Sequence, residues 1–232
     1  FKEDPTVMQL EEKMAKMFGH EAALFCPSGT MTNQIAIKVH TKPLDEVICE
    51  KHSHIFLYEV GGYAFHSGVA IQPVESIDGK LNSELIIENI KGKFDWLPNT
   101  QLVVVENTGN RTGGNCYTLN ELNAIKDTCR NNALKLHLDG ARIFNAIIEE
   151  SYTPIQIGEI FDSISVCLSK GLGAPIGSVL IGNSDFIKEA RKVRKVFGGG
   201  MRQAGIIAAA GIYALDHNIP DLKRDHEHAN LI

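Results

Sequence analysis

The sequence predicts an α/β fold, a mainly parallel sheet covered by helices on both faces. Two patterns carry that expectation. Short apolar, β-prone runs alternate with stretches of helical periodicity, and right-handed crossovers between such strands make parallel sheets. The 232 residues, 44% apolar and 22% charged, can also bury one large core. No repeat, low-complexity tract or linker divides them, so one domain over residues 1–232 is the simplest account.

The elements follow in order. Asp4-Pro5 pairs a capping carboxylate with a proline at the first helical position, and Val7, Leu10, Met14 and Met17 recur at helical spacing before Gly19. Leu24-Phe25-Cys26 reads as a strand that leads through Pro27-Ser28-Gly29-Thr30 into a helix ending near Lys38. Further strands are expected at 46–49, 69–74, 102–106, 134–139, 163–168 and 177–181. Helical periodicity fills 82–90, 119–130 and 142–149, and the pattern turns helical again over 185–196 and 203–216. The chain opens in the approach to a helix and stops in Asp225-His226-Glu227-His228-Ala229-Asn230, which reads as mid-helix, so both ends read as cut.

A formal charge of −5 offers no basic surface to nucleic acid. No run approaches the ~18 apolar residues that span a bilayer, and Phe1-Lys2-Glu3-Asp4-Pro5 lacks the marks of a signal peptide. The five cysteines (Cys26, Cys49, Cys116, Cys129, Cys167) are odd in number and widely spaced. They suit free thiols in a reducing cytoplasm better than disulfides or a Cys-based metal site. With no general positive field, a small anionic ligand has to be captured by local geometry.

The most informative pair is Asp139 and Lys170, 31 positions apart. Each ends an apolar run and is followed by small residues, in Lys135-Leu136-His137-Leu138-Asp139-Gly140-Ala141-Arg142 and Ser165-Val166-Cys167-Leu168-Ser169-Lys170-Gly171-Leu172-Gly173. A carboxylate and a lysine at the ends of neighbouring strands are what pyridoxal 5'-phosphate (PLP) chemistry requires. The lysine bonds to the cofactor aldehyde, and the carboxylate holds the pyridine nitrogen protonated. The plain alternative is a structural aspartate and a surface lysine. Ser28-Gly29-Thr30, at a helix N-terminus, is either a phosphate cup or an ordinary cap. Gly198-Gly199-Gly200-Met201-Arg202-Gln203 implies positive φ or close backbone approach, or else a mobile turn.

Arg202 and Lys195 are candidate anion partners, with solvated charge the alternative for Lys195. Arg142, three residues after Asp139, falls on the first turn of the next helix, where it faces either solvent or the cofactor and substrate. His52-Ser53-His54 could form a metal pair if it were a strand, but no third ligand is near, so no metal is expected. A ring stacked on the cofactor suits His54 better. The remaining histidines read as surface or structural.

Taken together, the chain resembles the low-specificity L-threonine aldolases, in the β-eliminating-lyase group of fold-type I PLP enzymes. The matching motifs are Glu3-Asp4-Pro5-Thr6-Val7, Ala22-Ala23-Leu24-Phe25-Cys26-Pro27-Ser28-Gly29-Thr30-Met31, Asp45-Glu46-Val47-Ile48-Cys49-Glu50 and His54-Ile55. They continue through Glu106-Asn107-Thr108, Leu138-Asp139-Gly140-Ala141-Arg142, Cys167-Leu168-Ser169-Lys170-Gly171-Leu172-Gly173 and Gly198-Gly199-Gly200-Met201-Arg202-Gln203-Ala204-Gly205. The resemblance implies a three-layer large domain with a seven-stranded, mainly parallel sheet. It implies that Lys170 carries the cofactor, Asp139 meets its ring nitrogen, His54 stacks on the ring, and Ser28, Gly29 and Thr30 hold the phosphate. Arg142 would reach the cofactor or the substrate carboxylate. Arg202 and Lys195 would meet the phosphate across a subunit boundary, since such enzymes are homotetramers built from catalytic dimers. The implied reaction is cleavage of L-threonine or L-allo-threonine to glycine and acetaldehyde.

Four departures stand out. Where many relatives have histidine in Ile-His-Phe, eleven residues before the asparagine of Glu-Asn-Thr, this chain has Trp96. Trp96, were it to line the pocket, would favour an aromatic substrate side chain. The histidine that usually follows Glu-Asn-Thr is Gly109. The family's N-terminal Ser-Asp-Thr motif and its small C-terminal domain, with a carboxylate-binding arginine, are missing. The expectation is therefore a fragment without a complete active site. Alternatives are β-elimination, transamination, a phenylserine-type aldolase, and a non-catalytic PLP-binding homologue.

Overall fold

The structure is a computed structural model that describes residues 4–231; Glu3 of the first motif, with Phe1 and Lys2, lies outside them. Seven strands form one sheet in the order β1-β7-β6-β5-β4-β2-β3. They are β1 (Ala22–Cys26), β2 (Asp45–Glu50), β3 (Ala70–Val74), β4 (Asn99–Glu106), β5 (Lys135–Gly140), β6 (Ser163–Cys167) and β7 (Ser178–Gly182). The five strands from β3 to β6 run parallel, and β7 is antiparallel to both β6 and β1. That reversal has a local cause. Only residues 168–177 join β6 to β7, and a connection without a crossover helix returns antiparallel.

The helices α1 (Pro5–Met17), α2 (Gly29–His40), α3 (His54–Leu57), α4 (Ser83–Asn89) and α5 (Leu119–Asn131) are followed by α6 (Ile143–Glu150), α7 (Pro154–Gly158), α8 (Ser184–Val196), α9 (Gly205–His217) and α10 (Asp221–Ala229). The expected cap of α1 is present: the Asp4 carboxylate accepts from the backbone N–H of Thr6 at 3.0 Å and Val7 at 3.2 Å. It also accepts from Gly205 N–H at 2.8 Å, which ties the start of α9 to the start of α1. Thr118 and Glu121 close a reciprocal capping box on α5.

Successive residues of one strand enter different cores, as the pleat requires. In β1, Ala23 and Phe25 join the core under α1, α5, α6 and α9, whereas Leu24 and Cys26 join the core between β1, β7, α2 and α8. In β4, Val103 and Val105 face the first core, and Leu102 and Val104 face a third, shared with α2 and α3. Burial on both faces is why these strands read as unbroken apolar runs.

The sequence reading misses α3, the short π-helix Tyr63–Ser67 and α7. His52 and His54 are not alternate residues of a strand, because β2 ends at Glu50 and Ser53 is the N-cap of α3. The Ser53 hydroxyl donates to Glu50 C=O at 2.6 Å and closes that turn.

Candidate active site

The parallel strands deliver their C-terminal ends to one place, where ligands of α/β sheets bind. Glu106 of β4 pairs in register with Asp139 of β5, and Asp139 with Ser165 of β6. A cavity of about 160 Å³ opens there, lined by Ser28, Gly29, Thr30, His54, Asp139, Arg142 and Lys170, with Asn33, Glu106, Thr108 and Cys167 among its other walls. Seven of the nine residues singled out from the sequence thus meet at one site. Lys170 stands in the exposed turn after β6, and Asp139 is 3% exposed on its floor.

Burial, followed by the nearby Glu106 and Glu59 carboxylates, pushes Asp139 up from 3.8 to about 7. One of its oxygens accepts from Asn33 Nδ2 at 2.8 Å and the other from Ala141 N–H at 3.3 Å. His54 opens α3, its backbone N–H donating to Glu106 at 2.6 Å and its Nδ1 lying 2.9 Å from Glu59 Oε1. That hydrogen bond raises the imidazole against the opposing effect of partial burial. Arg142 is the N-cap residue of α6 and donates from Nη1 to Asn110 Oδ1 at 3.2 Å.

At the start of α2, the Ser28 hydroxyl caps the helix by accepting from Met31 N–H at 3.2 Å. The first N–H groups of a helix have no intrahelical partner, so Gly29 and Thr30 present a positive pole to the cavity. A Cβ on Gly29 would stand 2.6 Å from Cys167 Sγ, so glycine lets α2 approach β6 closely. We expect Gly29→Ala to cost about 1–3 kcal/mol by overpacking. Cys167→Ala in the same chain should restore much of it, as urea denaturation would report.

This donor set fits PLP. An anion-attracting helix end and Arg142 suit a phosphate and a carboxylate, a buried carboxyl starved of a cation suits a pyridinium N–H, and a lysine amine suits the aldehyde.

Three residues named from the sequence do not line this cavity. Arg202 lines a different cavity of about 620 Å³ with Asp4, Phe25, Arg194 and Met201. Lys195, on the last turn of α8, does not line the Lys170 cavity either. The Gly198 turn does need its glycines, with φ +80° at Gly198 and a Cβ on Gly199 only 2.2 Å from Met31 Sδ. Trp96 is also absent from the cavity, being 77% exposed and stacked on Phe94 at 4.9 Å. It precedes Asn99, at the end of β4 opposite Glu106, and eight residues of strand separate the two by more than about 20 Å.

Asn33 and Glu59 carry no role in the sequence reading. A signal existed: Thr32-Asn33-Gln34 is a polar run inside a helix that is apolar immediately afterwards, and all three residues are buried. His54, Glu59 and Asp139 also converge closely enough for a metal ion, but the Asn33 amide already bridges the two carboxylates.

The profile of the beta-eliminating lyase family matches residues 1–232. Low-specificity L-threonine aldolase 1 of Arabidopsis thaliana is 44% identical to this chain, over 99% of it and 65% of that protein. The low specificity L-threonine aldolase of Escherichia coli K12 is 42% identical, over 98% of this chain and 68% of its own. The structure of threonine aldolase from Leishmania major superposes with a TM-score of 0.81 at 26% identity, covering 93% of this chain and 63% of that one. The chain spans between about 56% and 68% of the lengths of such curated relatives.

Proposed function

This chain belongs to the beta-eliminating lyase family, whose members use PLP, and on that premise we propose that it forms the cofactor-binding part of a lyase that cleaves L-threonine or L-allo-threonine to glycine and acetaldehyde. The observation that carries the reading is the convergence of Lys170, Asp139 and the N-terminus of α2 on one cavity. Bound there, PLP supplies the electron sink for the pair released when the Cα–Cβ bond breaks.

The rest falls to the protein. Lys170 would anchor the cofactor, and its amine would supply the proton that Cα takes up after the Cα–Cβ bond breaks. Asp139 would accept a hydrogen bond from the ring nitrogen and so favour that nitrogen's protonated form. Gly29 and Thr30, with Ser28 capping their helix, receive the phosphate, and Arg142 is within the cavity for a carboxylate. His54 would pack against the ring. Its Nδ1 is taken by Glu59, which leaves Nε2 to accept the β-hydroxyl proton, directly or through water.

His54→Ala should lower aldehyde release by about a hundredfold or more; full turnover with normal cofactor binding would remove His54 from proton transfer. Because Glu59 raises the imidazole, its substitution in Glu59→Gln lowers the pH at which His54 loses its proton. The acid limb of kcat should move to lower pH in that variant, and an unmoved limb would show that Glu59 does not set the base.

The finer assignments follow the same reading. Arg202 and Lys195 of a second copy complete the phosphate site in a homotetramer of catalytic dimers. Val60 and Phe65, near the cavity in sequence and 96% and 86% exposed, support such an association. Free thiols at all five cysteines support a cytoplasmic setting. Among the described residues, no helix is long and apolar enough to cross a membrane.

A further inference from the structure

Behind the cavity runs a chain of buried hydrogen bonds that the roles above do not use. Asn33 of α2 is 2% exposed and stands between two carboxylates. Its Nδ2 lies 2.8 Å from Asp139 Oδ2 and 3.0 Å from Glu59 Oε1. Its Oδ1 lies 3.3 Å from Nε2 of His137, a fully buried residue of β5. On the other side of that ring, Nδ1 is 2.8 Å from Ser163 Oγ, and Ser163 Oγ is 2.7 Å from His40 Nε2.

The orientation of the Asn33 amide follows by elimination. Ionised carboxylates only accept, so the amide must turn its NH2 group to Asp139 and Glu59 and its oxygen to His137. An amide oxygen also only accepts, and so does the Ser163 carbonyl 3.1 Å from His137 Nδ1, so acceptors compete for this ring's proton from both sides. Burial pushes His137 down to about 3 and His40 down to about 4, so each ring is neutral with a single proton.

The placement is built into both elements. Asn33 and His40 are seven apart and share a face of α2, and His137 and Asp139 are two apart and share a face of β5.

We propose that Asn33 is a positioning residue: its single amide fixes both Asp139, the partner of the ring nitrogen, and Glu59, the residue that orients His54. This rests on the reading that the cavity holds PLP with Asp139 at the ring nitrogen. The amide bond favours the ionised form of Asp139 against burial and the charges of Glu106 and Glu59, with His54 also favouring it. Those groups come from β4, the segment after α3, and α3 itself, and Cys167 of β6 faces Asp139 too. Without the amide, Asp139 holds its own proton to higher pH and cannot accept from the ring nitrogen.

The test is PLP binding to the full-length apoprotein, followed by absorbance across a pH series, for wild type, Asn33→Leu and Asn33→Asp. Asn33→Leu removes both donors, and Asn33→Asp keeps the size while adding a third carboxylate. Both variants should bind PLP at least about tenfold more weakly near neutral pH, with the acid limb of binding displaced to higher pH. A purely structural role would alter thermal stability and leave that limb in place. If wild type binds PLP and both folded variants bind within about twofold with an unmoved limb, the proposal is overturned. Should Asn33→Leu not fold, Asn33→Asp decides alone. Wild type that binds no PLP would instead overturn the reading of the site.

Discussion

Lys170→Ala is expected to fold normally and to lose aldehyde release by at least about a thousandfold. The lysine lies exposed in the turn between β6 and β7, outside every core cluster. Its truncation should therefore change stability by no more than about 0.5 kcal/mol. Chemistry, in contrast, loses both the anchor and the amine that protonates Cα. Borohydride reduction of PLP-loaded wild type should fix the cofactor on the peptide containing Lys170, and the variant should take up none irreversibly. Attachment at a different lysine would displace Lys170 from its role.

Asp139→Asn should lower turnover by about a hundredfold or more, since the ring nitrogen loses the charge that keeps it protonated. The same change should stabilise the apoprotein. Burial first, and then Glu106 and Glu59, raise the folded-state carboxyl from 3.8 to about 7. A group raised in this way contributes stability that is complete below about pH 4 and is lost as pH climbs toward 7, because the unfolded chain releases its proton first. The rise corresponds to on the order of 4 kcal/mol. Urea denaturation of the apoprotein should show wild type falling relative to Asp139→Asn across that interval. PLP, by offering a cation to the carboxylate, should stabilise wild type more than the variant. Parallel pH profiles for the two proteins would mean that Asp139 is not held as a costly buried charge.

The sheet was legible in the sequence because burial on both faces leaves unbroken apolar runs, and the helices because their stripes repeat at 3.6 residues. Lys170, Asp139 and Ser28-Gly29-Thr30 were legible because each ends a strand or opens a helix at the same edge of the sheet. Contacts made across the fold left no such trace. Nothing local marks Asn33 as the bridge between Asp139 and Glu59, since the three residues come from β5, α2 and the segment after α3. The helix that His54 opens left no periodic trace, because four residues are too few to show a period. Trp96 was placed by counting back from Asn107, and the count carries it down β4 to the far end of the sheet. Lys195 and Arg202 cannot be joined to the cavity from one chain at all.

The measurement that bears most directly on the whole account uses the full-length protein with PLP and L-threonine, and quantifies glycine and acetaldehyde together. The account predicts equal release of the two, absent from Lys170→Ala. Bound cofactor with no aldehyde, or ammonia and a keto acid in place of glycine, would contradict it and assign the site to a different reaction.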